Sequence, residues 1–193
     1  MIAGLMRLPA ADANRPWTLL AACVAAACLI FQVGHFIEHF LQFAVWVLGD
    51  LSNICGRDTP WMSPWVSPYV EAFGAWAWPA VGAKVQMVRS MEVLHIVGNS
   101  IFLIGLWGLF YLRRNTWVKW ALTIETFHLY EHVMLTVSAF TVGKPIGLST
   151  LFGGSFLLDK EAAVGIRVTW HFVMNLFPMP FAMLGMTWND EDK

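Results

Sequence analysis

The sequence predicts an all-α integral membrane protein: a four-transmembrane-helix bundle made of two repeated helical hairpins with pseudo-twofold symmetry. Hydrophobic residues make up 58% of the 193 residues and charged residues only 13%, and this charged share is about half that of soluble proteins. Four stretches are also apolar over about 20 residues, the length that crosses a bilayer. Finally, one pattern of histidines occurs twice along the chain.

We predict spans at about 17–48, 88–112, 117–142 and 163–188, within a single transmembrane domain that covers residues 1–193. The first stretch exceeds one bilayer thickness, so it should tilt or protrude. It is also too long for the apolar region of a signal peptide, and we therefore expect it to be a retained span. A very short link joins the second and third spans, which should be antiparallel neighbours.

The positive charges predict the orientation of these spans. Arg113, Arg114 and Lys119 lie in or beside the short link, and Arg7 and Arg15 precede the first span. Because positive residues favour the cytoplasmic side, we expect both termini in the cytoplasm and a multi-pass protein of the plasma (inner) membrane. The Trp- and Pro-rich loop 50–87 would then lie outside. It reads as an aromatic belt at the headgroup level, with a lid or an interface as alternatives.

The two halves of the chain repeat a set of polar residues. Each half reads H-x-x-E-H and, one span later, H-x-x-x-N, and every histidine of the chain belongs to this pattern. The first copy consists of Gln32, His35, Glu38, His39, His95 and Asn99. The second copy, with the same spacings within each span, consists of Glu125, His128, Glu131, His132, His171 and Asn175.

These spacings predict one buried metal site. Residues three and four apart share one helix face, and all six histidines should lie at a similar depth, given a rise of about 1.5 Å per residue. Ionisable groups inside a bilayer are costly and usually functional. The predicted metal ligands are His35, Glu38, His39, His95, His128, Glu131, His132 and His171. Weaker candidates are Glu125, Glu92, Asn99, Asn175 and Gln32; Glu92 is weaker because its equivalent in the fourth span is Val168.

Imidazoles together with carboxylates favour a di-metal site of Fe or Cu, with Zn ranked lower. The function expected from such a site is that of a membrane-bound redox enzyme, of the monooxygenase or hydroxylase kind, or of a subunit of a membrane oxidoreductase or oxygenase complex. The H-x-x-x-H spacing resembles the histidine boxes of membrane desaturases and hydroxylases. The sequence departs from that family because it has no H-x-x-H-H box.

Two other functions stay open at this point: a b-type haem electron-transfer subunit and a metal-ion transporter or metal-storage protein. Haems stacked across a membrane need histidines at two depths, whereas these lie at one. Electrons for a redox site would come from a quinol or a donor protein, and a membrane partner subunit or a homo-oligomer is expected. With a net charge of −1 and no run of basic residues, the chain is not expected to bind nucleic acid. The methionines of the spans, Met87 and Met91 among them, are explained by packing, with copper handling as the alternative.

Overall fold

The computed structural model describes residues 16–49, 61–152 and 160–187, which are helical and contain no β-strand. This confirms the all-α class. Seven helices occur in this part of the chain. They are α1 (Pro16–Val47), α2 (Ser67–Ala77), α3 (Ala83–Arg113), α4 (Thr116–Thr141), α5 (Leu148–Phe152), α6 (Lys160–Leu176) and α7 (Pro178–Thr187).

Local sequence accounts for the helix ends. Helix α1 begins at Pro16, whose missing N–H is no loss in a first turn, and it is followed by Gly49 with φ of 80°, a conformation that glycine adopts without strain. The backbone N–H of Val118 donates to Asn115 Oδ1 over 3.0 Å, so Asn115 caps the start of α4. Gly143, with φ of 75°, follows the end of α4.

The fourth predicted span differs from a single helix. Helix α6 ends at Leu176, Phe177 lies in a turn, and α7 starts at Pro178. Proline lacks the N–H that would continue the helix, and its ring clashes with the preceding turn. Two shorter helices therefore occupy the stretch predicted at 163–188, and its last residue lies outside the described residues.

Two helices, α1 and α3, are long and apolar enough to cross a membrane by length and composition. Helix α4 is 26 residues long, but Glu125, His128, Glu131 and His132 lower its hydropathy. Helix α6 has 17 residues and contains Arg167. In α4, the polar residues that predict a site are thus the ones that lower the hydropathy, whereas α6 is shorter than a span of 18 residues.

The chain divides into two compact units. Unit 1 comprises Met1–His35, Gly98–His128 and Met174–Lys193. Its core consists of Ala25, Phe102, Leu106, Leu109, Val118, Ala121, Leu122 and Ala182. Helices α1 and α3 approach closely there, because a Cβ added at Gly105 would lie 2.4 Å from Cys28 Cβ. Small residues allow such contacts between helices.

Unit 2 comprises Phe36–Val97 and Leu129–Val173. Its described apolar core is small: Met62, Val70 and Met91, with Val66, Met87 and Leu94 packed against them. Helix α2 is attached to α3 by the Ser90 hydroxyl, which donates to the Val70 carbonyl oxygen over 2.6 Å. Gly74 also allows a close approach, because a Cβ there would lie 2.8 Å from the Gln86 carbonyl oxygen. Most of the other buried side chains of unit 2 are polar, and they form the site described next.

Candidate metal centre

Four of the six histidines gather inside unit 2. His39 lies on α1, His95 on α3, His132 on α4 and His171 on α6. His39, His132 and His171 are 2%, 1% and 5% exposed, and His95 is partly buried. Four separate helices therefore each contribute one imidazole to this cluster, which we call the four-histidine cluster.

The rings of the cluster are close neighbours. The His95 ring centre is 4.8 Å from that of His132 and 5.3 Å from that of His39. The His171 ring centre is 4.8 Å from that of His132, 5.9 Å from that of His39 and 6.3 Å from that of His95. A nitrogen of His39 lies within 4.8 Å of one of His95, and the same holds for His132 and His171. The two histidines contributed by each repeat copy are thus paired in the same way.

Backbone contacts orient two of these imidazoles. His95 Nδ1 lies 2.6 Å from the Met91 carbonyl oxygen, and His171 Nδ1 lies 2.8 Å from the Arg167 carbonyl oxygen. A carbonyl oxygen can only accept, so Nδ1 carries the proton in both rings and Nε2 keeps its lone pair. A histidine that ligates a metal through Nε2 usually has its Nδ1–H bonded in this way. Both imidazoles are therefore held in the tautomer that allows ligation through Nε2.

A buried ion pair adjoins the cluster. Glu92 is fully buried, and its Oε1 accepts from Arg167. Its second oxygen, Oε2, lies 3.8 Å from His132 Nδ1. The guanidinium neutralises the carboxylate, which makes burial of both charges tolerable. The carboxylate in turn faces the Nδ1 side of a third imidazole.

A small cavity of about 20 Å³ opens between these side chains, which is room for a water-sized species. The four histidines line it together with Gln42, Met91, Arg167 and Val168. Sequence reasoning had not assigned Gln42 or Arg167 to the site. Their spacing carried a signal, since Gln42 follows His39 by three residues and Arg167 precedes His171 by four.

The glutamates of the two H-x-x-E-H motifs contact loops of unit 2. Glu38 Oε1 accepts from the Ser63 backbone N–H over 2.8 Å. Glu131 Oε1 accepts from the Ser149 backbone N–H over 3.1 Å and from the Ser149 hydroxyl over 2.5 Å, and its Oε2 accepts from the Leu148 N–H. Each carboxylate thereby forms hydrogen bonds with the chain segment that follows its own helix. Their predicted role as metal ligands stays a prediction.

The remaining predicted site residues lie in unit 1. Gln32 Nε2 donates to Asn175 Oδ1 over 2.9 Å, and both side chains are fully buried. Glu125 Oε2 lies 3.6 Å from His128 Nδ1, again with both side chains fully buried. His35 packs on α3, because a Cβ added at Gly98 would lie 3.1 Å from its Nδ1. The buried side chain of Asn99 belongs to the same unit.

The helices and the cluster define an all-α protein with a buried histidine centre. The sequence model described as "Family of unknown function (DUF6008)" matches residues 2–190, so the chain belongs to this family. No curated protein and no solved structure matches the chain.

Proposed function

We propose that this chain is a membrane metalloprotein that binds Fe or Cu at the four-histidine cluster and uses the metal for redox chemistry. It would act as an oxidoreductase or as a subunit of a membrane oxidoreductase or oxygenase complex. The observation that carries the proposal is the convergence of one buried or partly buried imidazole from each of four helices around a water-sized cavity. Neutral imidazole is the commonest protein ligand for transition metals.

The ring spacing supports the proposal. In a tetrahedral site with metal–nitrogen distances of about 2.0–2.1 Å, the centres of neighbouring imidazole rings lie about 5 Å apart. The described ring centres are 4.8 to 6.3 Å apart. These separations of the ring centres are therefore compatible with histidine ligation of an ion in this cluster.

The number of bound ions depends on whether all four histidines bind one ion or each pair of histidines binds its own ion. One ion held by all four rings would fill the cavity. Two ions would instead be divided between the repeated pairs, His39 with His95 and His132 with His171. The di-metal arrangement predicted from the repeat remains part of the proposal, and metal stoichiometry separates it from the single-ion arrangement.

The cavity volume favours ions over haem. A porphyrin needs a large ligand pocket, whereas the cavity among the rings has room for a water-sized species. Metal transport or storage uses the same ligands and remains the alternative function. It differs from redox chemistry because the bound ion would exchange without changing its oxidation state.

We place the site within a membrane. Helices α1 and α3 have the length and hydropathy of spans, and large apolar side chains are exposed on further helices, such as Tyr130 and Val137 on α4 and Met183 on α7. Exposed apolar surface on every long helix fits contact with lipid. We therefore propose four spans, with α6 and α7 forming the fourth, and both termini in the cytoplasm. In a chain whose three native cysteines are replaced by serine, single cysteines introduced into loop 61–66 and at Lys144 should react with an impermeant reagent added to intact cells, whereas one at Arg114 should not.

The test of the proposed function is the metal content of the purified full chain in detergent. We expect one or two Fe or Cu ions per chain, and we expect His95→Ala and His171→Ala to abolish the binding. Gln86→Ala is the matched control, because Gln86 lies on the same helix as His95 but bonds the Trp78 carbonyl oxygen and does not line the cavity.

Other outcomes assign or reject the alternatives. A sharp Soret band would identify haem, and Zn alone would exclude a redox role for the metal. If neither the isolated protein nor protein incubated with Cu(I) or Fe(II) retains an ion, the proposal is wrong.

A further inference from the structure

We infer that the ion of the four-histidine cluster is copper and that the Met91 thioether is one of its ligands. This inference rests on the proposed metal-binding function and adds the identity of the metal. It starts from the residues that border the cavity: the four histidines, Met91, Gln42, Val168 and Arg167. Among the described residues, no carboxylate borders this cavity.

The buried carboxylates of unit 2 have other contacts. Glu92 accepts from Arg167, Glu38 accepts from the Ser63 N–H, and Glu131 accepts from Ser149. Non-haem iron centres, including the di-iron centres of helical bundles, rely on carboxylate ligands. The groups around the cavity therefore do not match an iron centre.

Imidazole and thioether together match copper. Soft thioether ligands select Cu(I), and imidazole binds copper readily. Met91 is 3% exposed and lies one helical turn before His95, whose Nδ1 bonds the Met91 carbonyl oxygen. The same residue thus orients one imidazole with its backbone carbonyl and lines the cavity.

The charge of the surroundings favours the singly charged ion. The candidate metal ligands at the cavity, imidazole and thioether, are neutral groups, and the charge of Arg167 is balanced by Glu92. A buried ion without a compensating carboxylate is less costly with one charge than with two. Cu(I) meets this condition, whereas Fe(II) and Zn(II) do not.

The test is X-ray absorption at the copper edge of the full chain loaded with Cu(I) under anaerobic conditions. We expect nitrogen scatterers and one sulfur scatterer. Met91→Leu should remove the sulfur scatterer and leave the nitrogens. Met87→Leu is the matched control, because Met87 packs in the same small core but does not line the cavity, and it should leave the spectrum unchanged.

A second measurement does not depend on the folding of a variant. Selenomethionine labelling of the otherwise unchanged chain should replace the sulfur scatterer with selenium. Copper bound by nitrogen alone in the wild-type chain would overturn the inference and leave the proposed function standing. Preferential binding of Fe(II) over Cu(I) in an equimolar mixture would have the same effect. Failure of the wild-type chain to bind any of these ions would overturn both proposals.

Discussion

Both units bury polar side chains on the same helices, yet they surround them differently. In unit 2, four imidazoles, an ion pair and a cavity share a space with only a small apolar core. In unit 1, an amide pair and a Glu–His pair accompany a larger apolar core in which helices touch at glycine. Each H-x-x-E-H motif contributes its first histidine to unit 1 and its glutamate and second histidine to unit 2. The residues of the repeat therefore do not all have the same structural role.

The largest expected effect comes from the ion pair of unit 2. Arg167→Met leaves Glu92 as an uncompensated buried charge, which should lower the free energy of unfolding by about 3–5 kcal/mol. The double variant Glu92→Gln/Arg167→Met should recover most of this loss, because no buried charge remains. Unfolding of the purified protein in mixed micelles measures both effects. In unit 1, Arg113 donates to the Met186 carbonyl oxygen, so Arg113→Met should cost less, and an equal loss would argue against a special role for the Glu92–Arg167 pair.

The next effect tests whether the motif glutamates hold loops or ligate metal. Glu131→Gln should cost about 1.5–3 kcal/mol, the range for hydrogen bonds to a charged group. It should also speed amide hydrogen exchange at Leu148 and Ser149 while the bound metal is retained. Glu71→Gln on the exposed side of α2 is the control and should change neither quantity. Loss of the metal in Glu131→Gln would instead support the ligand role predicted from the sequence.

A smaller effect is expected in the packing of unit 1. Gly105→Ala places a Cβ against Cys28, and such overpacking should cost about 1–3 kcal/mol. Gly34→Ala is the matched control, because nothing lies within 4 Å of its added Cβ and alanine favours a helix. The midpoint temperature of thermal unfolding should therefore fall only in Gly105→Ala, and the metal content should stay constant in both variants. A loss of metal in Gly105→Ala would show that the two units are functionally linked.

The smallest effect concerns the difference between the two repeat copies in unit 1. Glu125 corresponds to Gln32 in the first copy, and a carboxylate beside a bound cation strengthens ligation. Glu125→Gln should therefore lower metal affinity more than Gln32→Ala does. The difference between the two variants should be less than about tenfold, because Glu125 faces His128 in unit 1 and not the described cavity. Titration of both variants with Cu(I) measures the difference. Equal affinities would mean that this asymmetry has no part in metal binding.

Much of the site could be predicted because helix periodicity is a local property. His39 and Gln42, or Glu92 and His95, lie three residues apart, so they must share a face once the segment is helical. The hydropathy of the long stretches is also a local property of the sequence. The ends of helices α1, α3 and α4 lie close to the bounds predicted for the first three spans. The interruption of the helix at Phe177 could also have been predicted, because a proline follows at position 178.

The contacts between helices could not be predicted in the same way. In the repeat, Val168 is the position equivalent to Glu92. The residue that neutralises Glu92 is Arg167, one position before Val168. The attachments of Glu38 to Ser63 and of Glu131 to Ser149 join residues 25 and 18 positions apart, and no periodicity encodes them.

By itself, the sequence determined that the chain is helical, that its long stretches are largely apolar, and that helices α1, α3, α4 and α6 carry polar residues at helical spacing, because these properties depend only on neighbours within a few turns. Only the tertiary structure decided which histidines share a cavity, which groups the carboxylates contact and which other residues line that cavity. Those choices depend on the rotation and packing of each helix against the others, and side chains on different helices meet only when the chain has folded.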